Sequence, residues 1–151
     1  MIIEYIKLHN GVMAPSRANP SDAGLDIHAH IPKTKITIEP GENAIIPTGL
    51  KFGVPHGYML QVCNRSSMGA KRSLIVGAHI IDSGYDGEVF IDLHNVGKEP
   101  QTIGHYDKIA QIIMVPVVSF RALETSKDDL YNWYPITISD RGDGSLGSTG
   151  Q

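Results

Sequence analysis

Cysteine is nearly absent from this chain of 151 residues: Cys63 stands alone. That excludes a disulfide framework and suits a reducing compartment. Aromatic side chains make up only 7% of the residues, and no apolar stretch approaches the roughly 20 residues of a membrane-spanning helix. The N-terminal MIIEYIKLHN lacks the basic-then-apolar layout of a secretory leader. The expectation is a soluble, cytoplasmic protein without a membrane partner. An excess of positive charge is missing as well. The 13 basic and 16 acidic side chains give a formal charge of -3, which speaks against a nucleic-acid partner gripped by clustered Lys and Arg. Any phosphate chemistry must therefore be local.

Apolar residues, at 41%, are plentiful, and a chain of this length buries roughly two thirds of its unfolded surface in one domain without metal or disulfide. Alternation of period two runs through Ile2 to Leu8, Thr34 to Ile38, Ala44 to Ile46, Gly57 to Val62, Glu88 to Leu93 and Ile109 to Val118, with Gly, Pro or Asn between most of them. This layout predicts an all-β sandwich or barrel. The only helix expected is a turn or two over Ser66 to Lys71, capped by Ser66 or Ser67. Beyond Trp133-Tyr134-Pro135 the composition changes, with four glycines between Arg141 and Gly150. The division expected is a β-barrel over 1–134 and a C-terminal strand with a glycine-rich arm over 135–151.

Gly142-x-Gly144-x-x-Gly147 spells a dinucleotide fingerprint, but no strand and helix of a βαβ unit flank it. Arg141-Gly142-Asp143 spells an adhesion tripeptide without a secretory leader to support it. What remains of the arm is Arg141, Ser148 and Thr149 on a pliable backbone, suited to gripping a polyphosphate or serving as a solubilising tail. Asn64-Arg65-Ser66-Ser67 places a guanidinium and two hydroxyls at a helical start, which serves as an anion site or as a cap with a surface arginine. Asp82 follows an apolar pair near the tip of an expected hairpin, where an aspartate acts as a general base for water or bonds its own turn. Tyr85 reads as a core aromatic or a pocket floor. His28 and His30 share a strand face in this reading, but no Cys or carboxylate completes a tetrahedral zinc set by spacing.

Taken in order, Ala23-Gly-Leu-Asp26-Ile, Arg65-Ser-Ser-Met-Gly, Gly77-Ala-His-Ile-Ile-Asp82-Ser-Gly-Tyr85-Asp-Gly-Glu, Lys108-Ile-Ala-Gln111 and Arg141-Gly-Asp-Gly-Ser-Leu-Gly-Ser-Thr resemble the motifs of the trimeric dUTPase family. The resemblance implies a distorted jelly-roll barrel, a homotrimer with sites shared between subunits, and hydrolysis of dUTP to dUMP and diphosphate with Mg²⁺. It implies that Asp82 activates the water and that Arg65, Ser66, Ser67 and Gln111 hold phosphate oxygens. Asp26 would act on the metal indirectly, through water, or support the framework. Gly77, His79, Ile81 and Tyr85 would form the pyrimidine and sugar pocket. Arg141, Leu146, Gly147, Ser148 and Thr149 would close over the site, clamping the γ-phosphate.

Departures from the family pattern accompany the likeness. His79 stands where dUTPases usually carry glycine, and Ala78-His-Ile-Ile-Asp82 is similar to the Ala-His-x-Ile-Asp of dCTP deaminases. Asp92 and Ala70 stand where deaminases carry glutamate and arginine. Leu146 replaces a stacking phenylalanine, which implies a looser lid over the base. The alternatives are a dCTP deaminase, a dCTP/dUTP pyrophosphohydrolase, or a nucleotide-binding regulatory trimer without turnover.

Overall fold

A computed structural model describes residues 1–135, and the expected roles of Arg141, Leu146, Gly147, Ser148 and Thr149 lie outside the described residues. The chain divides into two units, Met1–Ser119 and Phe120–Gln151. The first carries eleven strands and one helix: β1 Glu4–Lys7, β2 Leu25–His28, β3 Lys35–Ile38, β4 Asn43–Pro47, β5 Leu50–Gly53, β6 Tyr58–Cys63, α1 Ser66–Arg72, β7 Leu74–Val76, β8 Ile80–Ile81, β9 Phe90–Asn95, β10 Gln101–Gly104 and β11 Lys108–Pro116. They form four antiparallel sheets, ordered β1-β5, β10-β3, β2-β11-β6-β8 and β4-β9-β7.

Alternation places the inner faces of these sheets together. Ile27, Ile38, Ile46, Leu50, Leu60, Leu74, Ile91, Leu93, Ile103 and Ile109 are all at most 2% exposed and form one core. Stiff β-branched side chains suit such a pleated surface. Two buried polar side chains are satisfied by backbone carbonyls. The Thr48 hydroxyl donates to the Val89 carbonyl at 2.6 Å, and the Asn95 amide donates to the carbonyls of Ile38 and Glu99 at 2.9 and 2.8 Å. No helix among the described residues is long and apolar enough to cross a membrane.

Three expectations need correction. Neither Ser66 nor Ser67 caps α1; Arg65 occupies the cap position with extended backbone and no side-chain capping bond, because a guanidinium only donates and cannot accept the free N–H groups of the first turn. The runs on either side of Asp82 are not one simple hairpin. β7 pairs with β9, but β8 pairs with β6 in another sheet. The crossover begins at Gly77, whose N–H donates to the Asp92 carbonyl on β9, and ends where the Val62 N–H meets the His79 carbonyl at 2.7 Å. Gly77 is required there, since a Cβ would collide with His94 Nε2 and Asp92 Oδ2. Finally, His28 closes β2 and His30 lies beyond the strand.

Candidate active site

The row of residues facing one another across β2, β11 and β6 is Asp26, Gln111 and Cys63. A bulge between Lys108 and Ala110 makes two residues of β11 oppose one of β2. Ile109 and Ala110 are therefore both buried, while Lys108 and Gln111 both keep part of their surface. Lys108 thus reaches Asp26 Oδ2 at 2.9 Å, and Arg65 Nε donates to Asp26 Oδ1 at 2.9 Å. The Arg65 Nη1 group adds the Lys108 carbonyl at 3.3 Å and Ser67 Oγ at 3.4 Å. Burial works against the Asp26 charge, but the Lys108 hydrogen bond and the Arg65 charge outweigh it and hold the carboxyl below its ordinary range. The same cation pair faces His28, where burial, then Lys108, keeps the imidazole neutral below its usual range.

Gln111 is fixed by its own bond, Nε2 donating to the Asn64 carbonyl at 2.9 Å. Its close neighbour is Gly24, where a Cβ would stand 2.8 Å from Gln111 Oε1. Asn64 in turn accepts the Val76 N–H at 2.7 Å, tying the end of β6 to β7. Sequence reasoning gave neither Gly24 nor Asn64 a role, although each sits inside a quoted motif or beside Arg65. The signal was available in glycine and asparagine flanking a charged residue at a strand end. Ser66, the first residue of α1, is exposed next to this cluster in sequence.

The second group lies on the crossover loop. Gly77, His79, Asp82 and Tyr85 are exposed, whereas Ile81 is buried. His79 Nδ1 sits 3.2 Å from the Val62 carbonyl, an acceptor that places the proton on that nitrogen. Asp82 makes no side-chain hydrogen bond or ion pair among the described residues, and its carbonyl accepts the Tyr85 N–H at 3.1 Å. Tyr85 is no core aromatic: it is 46% exposed. Its hydroxyl donates to the Glu88 carbonyl at 2.6 Å, and its ring crowds Gly87, where a Cβ would come within 2.7 Å. Tyr85 borders a cavity of about 410 Å³ with Tyr5, Phe52, Lys51 and Asp86.

One chain does not bring the two groups together. Asp26 is on β2 and Asp82 directly follows β8, the opposite edge strands of the β2-β11-β6-β8 sheet, which lie three inter-strand steps apart, about 14 Å. Asp26 is level with Cys63, whereas Ile81, the residue before Asp82, pairs with Leu60, about 10 Å further along the strands. The cationic row and the exposed carboxylate occupy opposite corners. Among the described residues no group of three His, Cys, Asp or Glu side chains converges on a common point. Both Asp26 oxygens are taken by cations, so this carboxylate does not fit a direct metal ligand.

The sequence profile of the dUTPase family matches residues 10–150. A deoxyuridine 5'-triphosphate nucleotidohydrolase of Chlamydia muridarum is 33% identical over 149 residues, 97% of each chain. One from Laribacter hongkongensis is 38% identical over 142 residues, 91% of this chain and 88% of the relative. Among solved structures, a mutant dUTPase of Staphylococcus bacteriophage 80alpha with dUpNHpp superposes with a TM-score of 0.80 at 23% identity, covering 99% of both chains. A mutant dUTPase from phage phi11 of S. aureus, described with a structural Mg(II) ion, gives a TM-score of 0.76 at 22% identity over 85% of this chain and 99% of its own. The fold is thus the jelly-roll of those enzymes, and with the family profile matched over residues 10–150 and relatives similar over nearly their full length the chain belongs to the dUTPase family.

Proposed function

We propose that the protein is a dUTP pyrophosphohydrolase, adding water at the α-phosphorus of dUTP to release dUMP and diphosphate. The observation that carries this reading is the pairing, at the family's motif positions, of a cationic row locked by Asp26 with an exposed, unpaired Asp82. A triphosphate carries close to four negative charges, and attack by an oxygen nucleophile requires their neutralisation and an oriented water. Arg65 has one terminal nitrogen without a partner among the described residues, and with Ser66, Ser67 and the Gln111 amide it is suited to phosphate oxygens. Asp82 deprotonates the water. Gly77, His79, Ile81 and Tyr85 line the pyrimidine and sugar, while Arg141, Leu146, Gly147, Ser148 and Thr149 close over the phosphates. Mg²⁺ would supply further neutralisation of the triphosphate charge, with Asp26 supporting it only indirectly, since both Asp26 oxygens hold cations.

The sites are assembled from three identical subunits, with Asp82 of one facing the cationic row of another. The diagonal separation of these groups within one chain supports this assembly. We place the enzyme in the cytoplasm, in keeping with a free Cys63. Deamination is disfavoured by Asp92. Its carboxylate is held by Asn43 Nδ2 at 2.8 Å and His94 Nε2 at 3.0 Å, and these bonds outweigh burial to keep it ionised. Incubation with dUTP, dCTP, dTTP and UTP plus Mg²⁺ tests the proposal. Diphosphate and dUMP should arise from dUTP, and ammonia release from dCTP would overturn it.

A further inference from the structure

Three histidines from separate parts of the chain form a row away from the cationic cluster. His9 follows β1, His30 follows β2, and His105 lies in the turn between β10 and β11. The His9 and His30 rings are 5.6 Å apart and within 10° of parallel, and His30 meets His105 edge-on at 5.3 Å. Tyr106 extends the row at 3.7 Å from His105, and its hydroxyl donates to the Gly11 carbonyl at 2.8 Å. The row therefore joins the N-terminal segment to the barrel. Within that segment β1 itself is four exposed residues paired with β5, while Ile3 and Val12 pack on the core to either side.

One contact in this row requires a neutral ring. The Ile31 N–H donates to His105 Nδ1 at 3.1 Å, so that nitrogen presents a lone pair, and a proton there ends the bond. His30 Nδ1 is buried with no hydrogen-bond partner among the described residues, so charging the ring leaves a cation poorly solvated. The groups facing His30 are His9 from the N-terminal segment, His105 and Tyr106 from the β10–β11 turn, and Glu88 ahead of β9. Asp107 of the same turn is occupied by the Gly104 N–H at 2.8 Å. Burial, then repulsion from His105 and His9, holds His30 below the ordinary imidazole range, opposed by Glu88.

We propose that the His9–His30–His105 row is a proton-operated latch on the N-terminal strand. With neutral rings it pins β1 to β5; on protonation, repulsion between the rings and loss of the Ile31–His105 bond release it. The open form binds more protons, so acid favours opening. The latch is linked by hydrogen bonds to the crossover loop. The Leu8 N–H donates to the Gly49 carbonyl at 2.8 Å, the Gly49 N–H to Glu88 Oε1 at 2.8 Å, and the Glu88 carbonyl receives the Tyr85 hydroxyl. β1 and β5 also wall the cavity that Ser83, Gly84, Tyr85 and Asp86 border. Any consequence for turnover rests on the hydrolase reading; the latch itself does not.

Hydrogen exchange of the full-length protein, corrected for the intrinsic pH dependence, tests the latch without reading turnover. Between about pH 7.5 and about pH 5.5 protection of Glu4–Leu8 should fall about tenfold, while β6 and β11 keep theirs. In the double variant His9→Gln, His105→Asn the fall should shrink to what His30 alone supplies, because asparagine accepts the Ile31 N–H without titrating. Equal protection of wild-type β1 at both pH values overturns the proposal, and so does an undiminished fall in the variant. Should the variant fail to fold, the wild-type comparison decides alone.

Discussion

Asp26 holds Arg65 and Lys108 each at 2.9 Å from one of its oxygens, whereas Asp82 has neither cation nor donor beside it among the described residues. A carboxylate so tightly partnered orients cations, and an open one is available to water. Asp82→Asn should lower kcat by about 10² to 10⁴, the range for loss of a general base, with the far-ultraviolet spectrum unchanged. Diphosphate release measures it, and turnover at the wild-type level would remove Asp82 from the mechanism. Asp26→Asn should instead raise KM for dUTP, by loosening Arg65. The sign of its pH effect follows from a folded pKa held below the ordinary aspartate range by Lys108 and Arg65 against the opposing effect of burial. The stabilisation is complete above that range and is lost as pH falls through the folded pKa. Denaturant midpoints at descending pH should therefore drop more steeply for the wild type than for Asp26→Asn. Gly77→Ala is a steric test. The added Cβ meets His94 and Asp92 at the start of the crossover, and a cost of about 1–3 kcal/mol in denaturant unfolding is expected.

At the scale of elements, β3, β4, β6, β9 and the body of β11 were legible because a half-buried strand must alternate. β5, β7, β8 and β10 were not, being two to four residues long and too short for a period to declare itself. β1 shows the opposite failure. Its alternation over Ile2 to Leu8 is visible, yet all four strand residues are exposed, since it has a neighbour on one side and no core beneath. The crossover at Gly77 was invisible for a different reason: the sequence shows that a chain turns, but which sheet it joins depends on Val62 and Asp92, distant in sequence. The bulge at Lys108 was hidden in the same way, although Lys108 and Gln111 could be picked out as motif residues. For the arm, a chain ending at Ser139 should lose most of its dUTP turnover while sedimenting as the full-length protein does; unchanged activity would dismiss the phosphate clamp.

For the whole molecule, the opposite-corner placement of Asp82 and the cationic row makes a mixing experiment decisive. Asp82→Asn and Arg65→Ala subunits, each inactive, should regain part of the wild-type turnover when refolded together. A hybrid site then draws Asp82 from one chain and Arg65 from another. No recovery, or sedimentation of an active monomer, would defeat shared sites. What the sequence determined by itself was the β architecture, through period-two burial, and the family to which the chain belongs, through ordered motifs, because both are local patterns. Only the tertiary structure decided that Asp26 locks two cations, that Asp92 is held by Asn43 and His94, that β8 changes sheets, and that three histidines meet. Each of these depends on through-space contacts between residues far apart in the chain, where charge, burial and collision act at distances that sequence order does not encode.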